Sequence, residues 1–272
     1  TQPIVGLVHH DVVLYEADDR LGGHANTVDV EDPAVGRLAV DTGFIVHNDR
    51  NYPNLTQLFE ELGVATRDTS MSFAVTDRLP GSATRGLTYR ATSPNSLFAQ
   101  RRNLVRPAMW RMLTDIARFY REAARFLADP DDAVTLDDFL DGHGFAGPFI
   151  DLHLMPMGAA VWSADPSTFG QYPALSLLRF LDHHGLLAVG DRPLWKVIPG
   201  GSRVYVEALA RRFGGEIRLG QPVHSVRRDG SGHGVDVVTA QSTERFDHVV
   251  IAAHSDQALR MVDRPTALER EL

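Results

Sequence analysis

The chain is short of several things, and each shortage excludes a chemistry. Its 272 residues contain no cysteine, which removes disulfides, thiolate metal sites and cysteine nucleophiles together. Lys196 is the only lysine, so Schiff-base chemistry has a single candidate. No apolar run approaches the ~18 residues of a membrane span, and no signal-peptide pattern is legible. The expectation is therefore a soluble cytoplasmic protein. Excess positive charge is absent too: the formal net charge is −8, which argues against a nucleic-acid binder. There is no GxSxG elbow for a serine hydrolase and no HExxH for zinc. The twelve histidines include adjacent pairs whose side chains would diverge in regular structure, and solvated or hydrogen-bonded histidines explain them better than a metal site.

What is present begins at residues 11–24, DVVLYEADDRLGGH. An apolar run ends in Glu16, followed by Arg20 and the pair Gly22-Gly23. A strand ending in a carboxylate is how a dinucleotide-binding βαβ unit holds the hydroxyls of an adenosine ribose. Glycines beyond it let backbone approach a pyrophosphate, and an arginine neutralises it. The Arg-x-Gly-Gly tail favours FAD over NAD. A plain surface acid at a strand end is the alternative, and the fixed spacing of the three following residues weighs against it. The GxGxxG turn that should lie about 20 residues upstream of the acid is missing; Gly6 is the only glycine before Asp11.

Periodicity supplies the organisation. Strands are expected at 12–16 and 25–30, and an extended stretch over 38–46 (LAVDTGFIV) is interrupted by Gly43. A helix is expected over 52–62 and short antiparallel strands between 71 and 92. The longest helical pattern spans 103–127. Thr135 with Asp138 three residues on predicts the capped start of another helix. After Pro199, GGSR leads into an amphipathic helix, with Ser202 expected as its N-cap rather than as part of an anion cradle. Strands follow at 216–219, 222–228 and 234–239, with a buried-looking one at 246–253. DGSGHG at 229–234 resembles a phosphate loop, but lying between two strands it is better read as a hairpin turn. Strands at both ends around a helical middle predict a nucleotide domain over 1–70 and 199–272, and a substrate domain over 71–198.

The segment 101–125 sets seven arginines against Asp115 and Glu122. A solvated outer face of a core helix accounts for this better than a surface for anionic lipid head groups, although peripheral membrane contact through 101–125 stays open.

HDVVLYEADDRLGGH and DTGFIVHN resemble the FAD-dependent amine-oxidase and phytoene-desaturase superfamily. SLFAQRRNLVRP, MPMGAAVWSADP, HHGLL, RPLWKVIPGGSRVYVEAL and DHVVIAAHSDQAL resemble more narrowly a bacterial group of NAD/FAD-binding oxidoreductases often encoded near cyclopropane-fatty-acid synthases. The resemblance implies an α/β fold, α+β overall: a glutathione-reductase-like FAD-binding Rossmann domain with an inserted, largely helical substrate domain. Carried over by residue, Glu16 would bind the adenosine ribose of FAD, and Arg20, Gly22 and Gly23 would line its pyrophosphate. Thr42, Gly43 and Phe44 match the strand passing the isoalloxazine. Val223 matches a backbone contact to adenine, and Ala252 and Ala253 match the strand end closing over the cofactor. Met157 and Trp162 would face the substrate. The implied activity is hydride transfer from a small-molecule amine or a fatty-acyl or lipid substrate to flavin. The family pattern begins before this sequence and continues past Leu272, so a longer protein is expected. No residue stands out for proton transfer, and the catalytic residues are left unassigned. The competing reading is a non-catalytic nucleotide-fold module that binds a partner or membrane surface.

Overall fold

The computed structural model describes residues 10–82, 84–91, 93–162, 165, 167–187, 193–230 and 234–271; the side chain of Trp162 and the remnant Gly6 lie outside the described residues. In chain order the elements begin with β1 (Val13–Tyr15), β2 (Thr27–Asp32), β3 (Gly36–Asp41) and α1 (Pro53–Leu62). Next come β4 (Arg67–Thr69), β5 (Ala74–Thr76), β6 (Thr88–Arg90), α2 (Pro94–Leu97), α3 (Pro107–Ala128), α4 (Leu136–Gly142), α5 (Met155–Trp162) and α6 (Ala174–His183). The last are β7 (Trp195–Val197), α7 (Arg203–Arg212), β8 (Glu216–Arg218), β9 (Val223–Arg228), β10 (Val235–Thr239), β11 (Thr243–Phe246), α8 (Ser255–Met261) and α9 (Ala267–Glu271). A 3-10 turn covers Arg101–Val105, and a π-helical turn covers Ile150–Leu154.

The chain divides into two compact units. The first combines Thr1–Ile45, Leu58–Thr66 and Ile198–Leu272; the second combines Val46–Gln57 and Arg67–Val197.

Unit 1 is strand-rich. β1 pairs in parallel with β8 across about 200 residues of chain, which brings both ends of the sequence into one unit. β2 and β3 form a hairpin pairing Val28 with Val40 and Val30 with Leu38. β9, β10 and β11 form an antiparallel meander. The β9–β10 connection contains the glycine-rich segment; Asp229 N–H donates to Gly234 O at 3.1 Å, the closure of a hairpin. Residues 231–233 within it lie outside the described residues.

The buried strand expected at 246–253 does not form. β11 ends at Phe246, no described strand pairs with the residues that follow, and Val250 is 90% exposed. An apolar run becomes a central strand only where neighbours offer it ladders on both sides. The segment expected over 38–46 also stops early, at Asp41, because its partner β2 begins at Thr27, which pairs with Asp41.

Unit 2 is built on α3. Pro107 supplies a preset φ at its first turn. Met109, Met112, Phe119 and Ala123 recur on one face and are fully buried. α4 begins at the capping box expected from sequence: Thr135 Oγ1 accepts from Asp138 N–H at 3.1 Å, and Asp138 Oδ2 accepts from Thr135 N–H at 3.3 Å. Phe119, Phe139, Phe145, Phe149 and Phe169 share one buried cluster with leucines of α4 and α6. A buried phenylalanine is worth roughly 2–3 kcal/mol of burial, so this cluster is the main store of apolar stabilisation.

Candidate cofactor site

Unit 1 gathers the residues expected to hold a cofactor. Glu16 directly follows β1, and its backbone is held on both sides: its N–H donates to Arg218 O, and its carbonyl accepts from Gln221 N–H, each at 2.9 Å. The half-exposed carboxylate accepts Asp18 N–H on Oε1 at 2.9 Å. Its second oxygen takes no hydrogen bond from the described residues, so a hydroxyl donor can be received there. Val223, the first residue of β9, lies two residues beyond Gln221 and opposite Thr239 at an irregularity in the ladder.

Arg20 folds back over the turn it introduces. Its guanidinium donates to Gly23 O at 3.0 Å and Leu21 O at 3.4 Å, and Nε lies 3.5 Å from Asp18. Gly22 and Gly23 take φ of +111° and +53°, conformations that strain side-chain-bearing residues. A Cβ at Gly22 would meet Ala25 O at 2.6 Å, whereas at Gly23 it would meet nothing within 4 Å. Gly23 therefore presents its backbone to open space, the condition for close approach by a ligand.

The DTGF segment packs on this turn. Thr42 N–H donates to Asn26 O at 2.9 Å, and Phe44 N–H to His24 O at 3.1 Å. A Cβ at Gly43 would fall 2.0 Å from His24 O, so the glycine is required by the approach of one chain segment to another. His24 also meets His254 edge to face, ring centroids 5.1 Å apart. His254 is preceded by Ala252 and Ala253, which sit exposed in irregular chain rather than at the end of a strand. Within one unit, the 20–24 turn and the 42–44 segment are thus joined by short contacts, while Val223 lies near Glu16 through Gln221 and Ala252–Ala253 adjoin the turn only through their neighbour His254.

Sequence reading missed the anion already present at the start of α7. Asp41 Oδ1 accepts Ser202 N–H and Ser202 O–H, both at 2.8 Å, and Thr27 O–H at 2.6 Å. Thr27 Oγ1 accepts Arg203 N–H at 3.0 Å. Ser202 occupies the N-cap position expected, but its φ and ψ of −62° and −25° are helical, and its hydroxyl makes no cap bond. A carboxylate beside a helix N-terminus gains from the dipole and makes charge-assisted bonds, so it displaces a neutral hydroxyl cap. The aspartate was in view within DTGF, but nothing local marked its partner 161 residues away.

The substrate candidates belong to unit 2. Met157 is half-buried against the phenylalanine cluster. At Gly158 a Cβ would lie 2.3 Å from the Phe169 ring, so α5 needs a glycine there. Trp162 closes α5.

A buried pair in unit 2 also escaped sequence reading. Tyr89 O–H donates to Leu152 O at 2.9 Å, so its oxygen accepts from His153 Nδ1–H, also at 2.9 Å. This fixes the proton on Nδ1 and leaves Nε2 as an acceptor. Burial holds the His153 imidazole neutral, pushing its pKa down to about 4, and pushes the Tyr89 phenol up. The lone lysine is an ion-pair member: Lys196 Nζ donates to Asp49 Oδ2 at 2.5 Å, which holds the Asp49 carboxyl below its usual range. Among the described residues, no helix is long and apolar enough to cross a membrane.

The model of the flavin containing amine oxidoreductase family matches residues 6–272. Solved structures of low sequence identity share the fold. Putrescine oxidase bound to putrescine superposes with a TM-score of 0.64 at 19% identity, over 94% of this chain and 56% of that one. Cyclohexylamine oxidase from Brevibacterium oxydans IH-35A gives 0.63 at 20%, over 91% of this chain and 53% of that one. The CLA-producing fatty acid isomerase from P. acnes gives 0.59 at 16%, over 95% and 56%. The chain thus spans little more than half the length of these structures. No curated protein sequence matches the chain.

Proposed function

The chain belongs to the flavin-containing amine oxidoreductases, and we propose that it serves an FAD-dependent oxidoreductase acting on a small-molecule amine or a fatty-acyl or lipid substrate. The observation that carries the proposal is the convergence in unit 1 of an acceptor oxygen on Glu16, the open backbone of Gly23, the Thr42–Phe44 segment and the chain beside His254. FAD, when bound, supplies the hydride-accepting chemistry.

The residues of this chain supply its binding. Glu16 receives ribose hydroxyls. Gly22 and Gly23 let the pyrophosphate approach, and Arg20, already braced on that turn, neutralises it. Thr42, Gly43 and Phe44 lie along the isoalloxazine. Val223 offers backbone to adenine, and Ala252 and Ala253 close over the cofactor. We assign the FAD domain to 1–70 and 199–272 and the substrate domain, with Met157 and Trp162, to 71–198. Both amines and fatty acids occur among the similar structures, as putrescine oxidase, cyclohexylamine oxidase and a fatty acid isomerase, which supports keeping both substrate classes.

The visible spectrum of the purified full-length protein tests the reading. Flavin bands are expected, and FAD at a hundredfold excess over its Kd should add about 2.7 kcal/mol of stability. Glu16→Ala should weaken FAD retention at least tenfold, the scale of one lost charge-assisted hydrogen bond. A colourless protein that FAD does not protect against heat would refute the proposal. Unchanged occupancy in Glu16→Ala would refute the role of that carboxylate alone.

A further inference from the structure

One end of unit 2 shows a segregation of charge that the redox proposal does not use. Residues 76–111 contain seven arginines and one carboxylate, Asp77, within a chain of net charge −8. Asp77 is buried, and its oxygens are occupied by Ser82 O–H at 2.5 Å, Thr84 O–H at 2.7 Å and Leu79 N–H at 3.0 Å. The surface left for solvent is positive. Arg78, Arg85 and Arg102 line one open groove between the β5–β6 loop and the 3-10 turn. Arg102 is anchored to Gly86 O at 2.7 Å. Arg78 and Arg85 make no hydrogen bond or ion pair with described residues; the buried Asp77 carboxylate also lines the groove and feels the charge of Arg85, so three arginines stand there against one carboxylate.

Large exposed apolar side chains lie close in sequence to the arginines on both sides of the groove. Leu79, next to Arg78, is 70% exposed, and Val105, three residues after Arg102, is 82% exposed. Trp110 is 48% exposed and held in place, with Nε1–H donating to Leu104 O at 2.9 Å and its ring 5.4 Å from Phe98. The later arginines of α3 differ: Arg118 pairs with Asp115, and Arg121 and Arg125 pair with Glu122. The basic stretch 101–125 thus resolves into a later half whose three arginines pair with two carboxylates and an earlier half whose four arginines have none in the stretch.

A small soluble anion would account for the arginines and leave the exposed Leu79 and Val105 without a role. A bilayer surface accounts for both, since apolar side chains enter the head-group boundary while arginines meet phosphates. A fixed, half-exposed tryptophan held against Leu104, next to Val105, fits that boundary. We propose that this end of unit 2 docks on anionic phospholipid membranes. The proposal stands apart from the redox reading and does not need flavin.

Vesicle co-sedimentation of the full-length protein tests it, with phosphatidylglycerol–phosphatidylcholine vesicles compared with phosphatidylcholine alone. Binding to the anionic vesicles is expected, weakening as salt is raised, with a blue shift of tryptophan emission that Trp110→Phe abolishes. The triple variant Arg78→Gln, Arg85→Gln, Arg102→Gln should bind about a hundredfold more weakly, at roughly fivefold per arginine. Val105→Asp, a change at an exposed position that leaves folding intact, should weaken binding at least tenfold and carries the test if the triple variant misfolds. The proposal is overturned if wild-type protein ignores anionic vesicles or if Val105→Asp binds as wild type does. It is equally overturned if inorganic phosphate protects the protein through these arginines while vesicles stay unbound.

Discussion

The two units are held together by different physics. Among the described residues, unit 2 contains eighteen of the buried apolar side chains and unit 1 only five: Phe59, Ile198, Ala208, Val226 and Val237. Unit 1 relies instead on charged knots. Asp29 receives both Arg203 and Arg37, Asp41 receives Ser202 and Thr27, and Arg218 joins Glu216, Glu244 and Tyr15. Its hairpin leaves Val28, Val30, Leu38 and Val40 exposed. Apolar burial makes a scaffold that salt changes little. Charged knots leave polar atoms and open backbone at the surface, where a polar cofactor is met, at the cost of sensitivity to salt.

The sharpest way to break this contrast is to hollow the core. Phe149, fully buried, packs 5.2 Å from both Phe119 and Phe145. Phe149→Ala should cost about 3–5 kcal/mol and lower the thermal midpoint by roughly 6–20 °C. A smaller loss than that from any single substitution in unit 1 would overturn the ranking of the units.

Acid should separate the units in order. The His153 pKa is lowered from 6.5 to about 4, so the unfolded chain binds the extra proton first. Unit 2 should therefore lose stability as pH falls from about 6.5 towards 4, by of order 3 kcal/mol in all. Asp29 has its pKa lowered from 3.8 by Arg203 and Arg37; its contribution is present above that ordinary value and is lost only at lower pH. Hydrogen exchange followed against pH should show amides of unit 2 opening before those of unit 1. His153→Gln should flatten most of the upper window, leaving the share of His47, whose imidazole pKa burial also pushes down; a slope undiminished in that variant would remove His153 as its source.

Removing one knot is the next test. Asp41→Ala strips α7 of its anionic cap and should cost about 2 kcal/mol, read as faster exchange in the first turn of α7. An unchanged first turn would show that Thr27 alone suffices. The smallest effect belongs to the exposed hairpin: Val30→Thr, at a side chain 45% exposed, should change stability by less than about 0.5 kcal/mol. A loss of several kcal/mol there would mean that the hairpin face is covered.

What was legible in the sequence was whatever the chain specifies locally. The apolar period of α3, the Thr135–Asp138 capping box, the glycine-rich turn between β9 and β10, and the acid just after β1 all depend on neighbours within a few residues. The misreadings required partners far away. The run at 246–253 has the composition of a buried strand but lacks a pairing neighbour among the described residues. Ser202 would cap α7 if Asp41 were not delivered from β3. Tyr89 and His153 meet across 64 residues, a distance over which no spacing rule operates. The candidate site divides likewise: Glu16, Arg20, Gly22 and Gly23 form a local motif, whereas their meeting with Thr42–Phe44 and His254 is tertiary.

Lys196 has a practical consequence. A chain with one lysine offers one side-chain amine to acylating reagents, and this one is engaged by Asp49 with only 21% of its side chain exposed. Amine-reactive labelling of this side chain should therefore be slow and report on the β7 edge of unit 2. The rate of that single modification makes the Asp49–Lys196 pair a built-in gauge of local opening, readable by mass without any engineered probe.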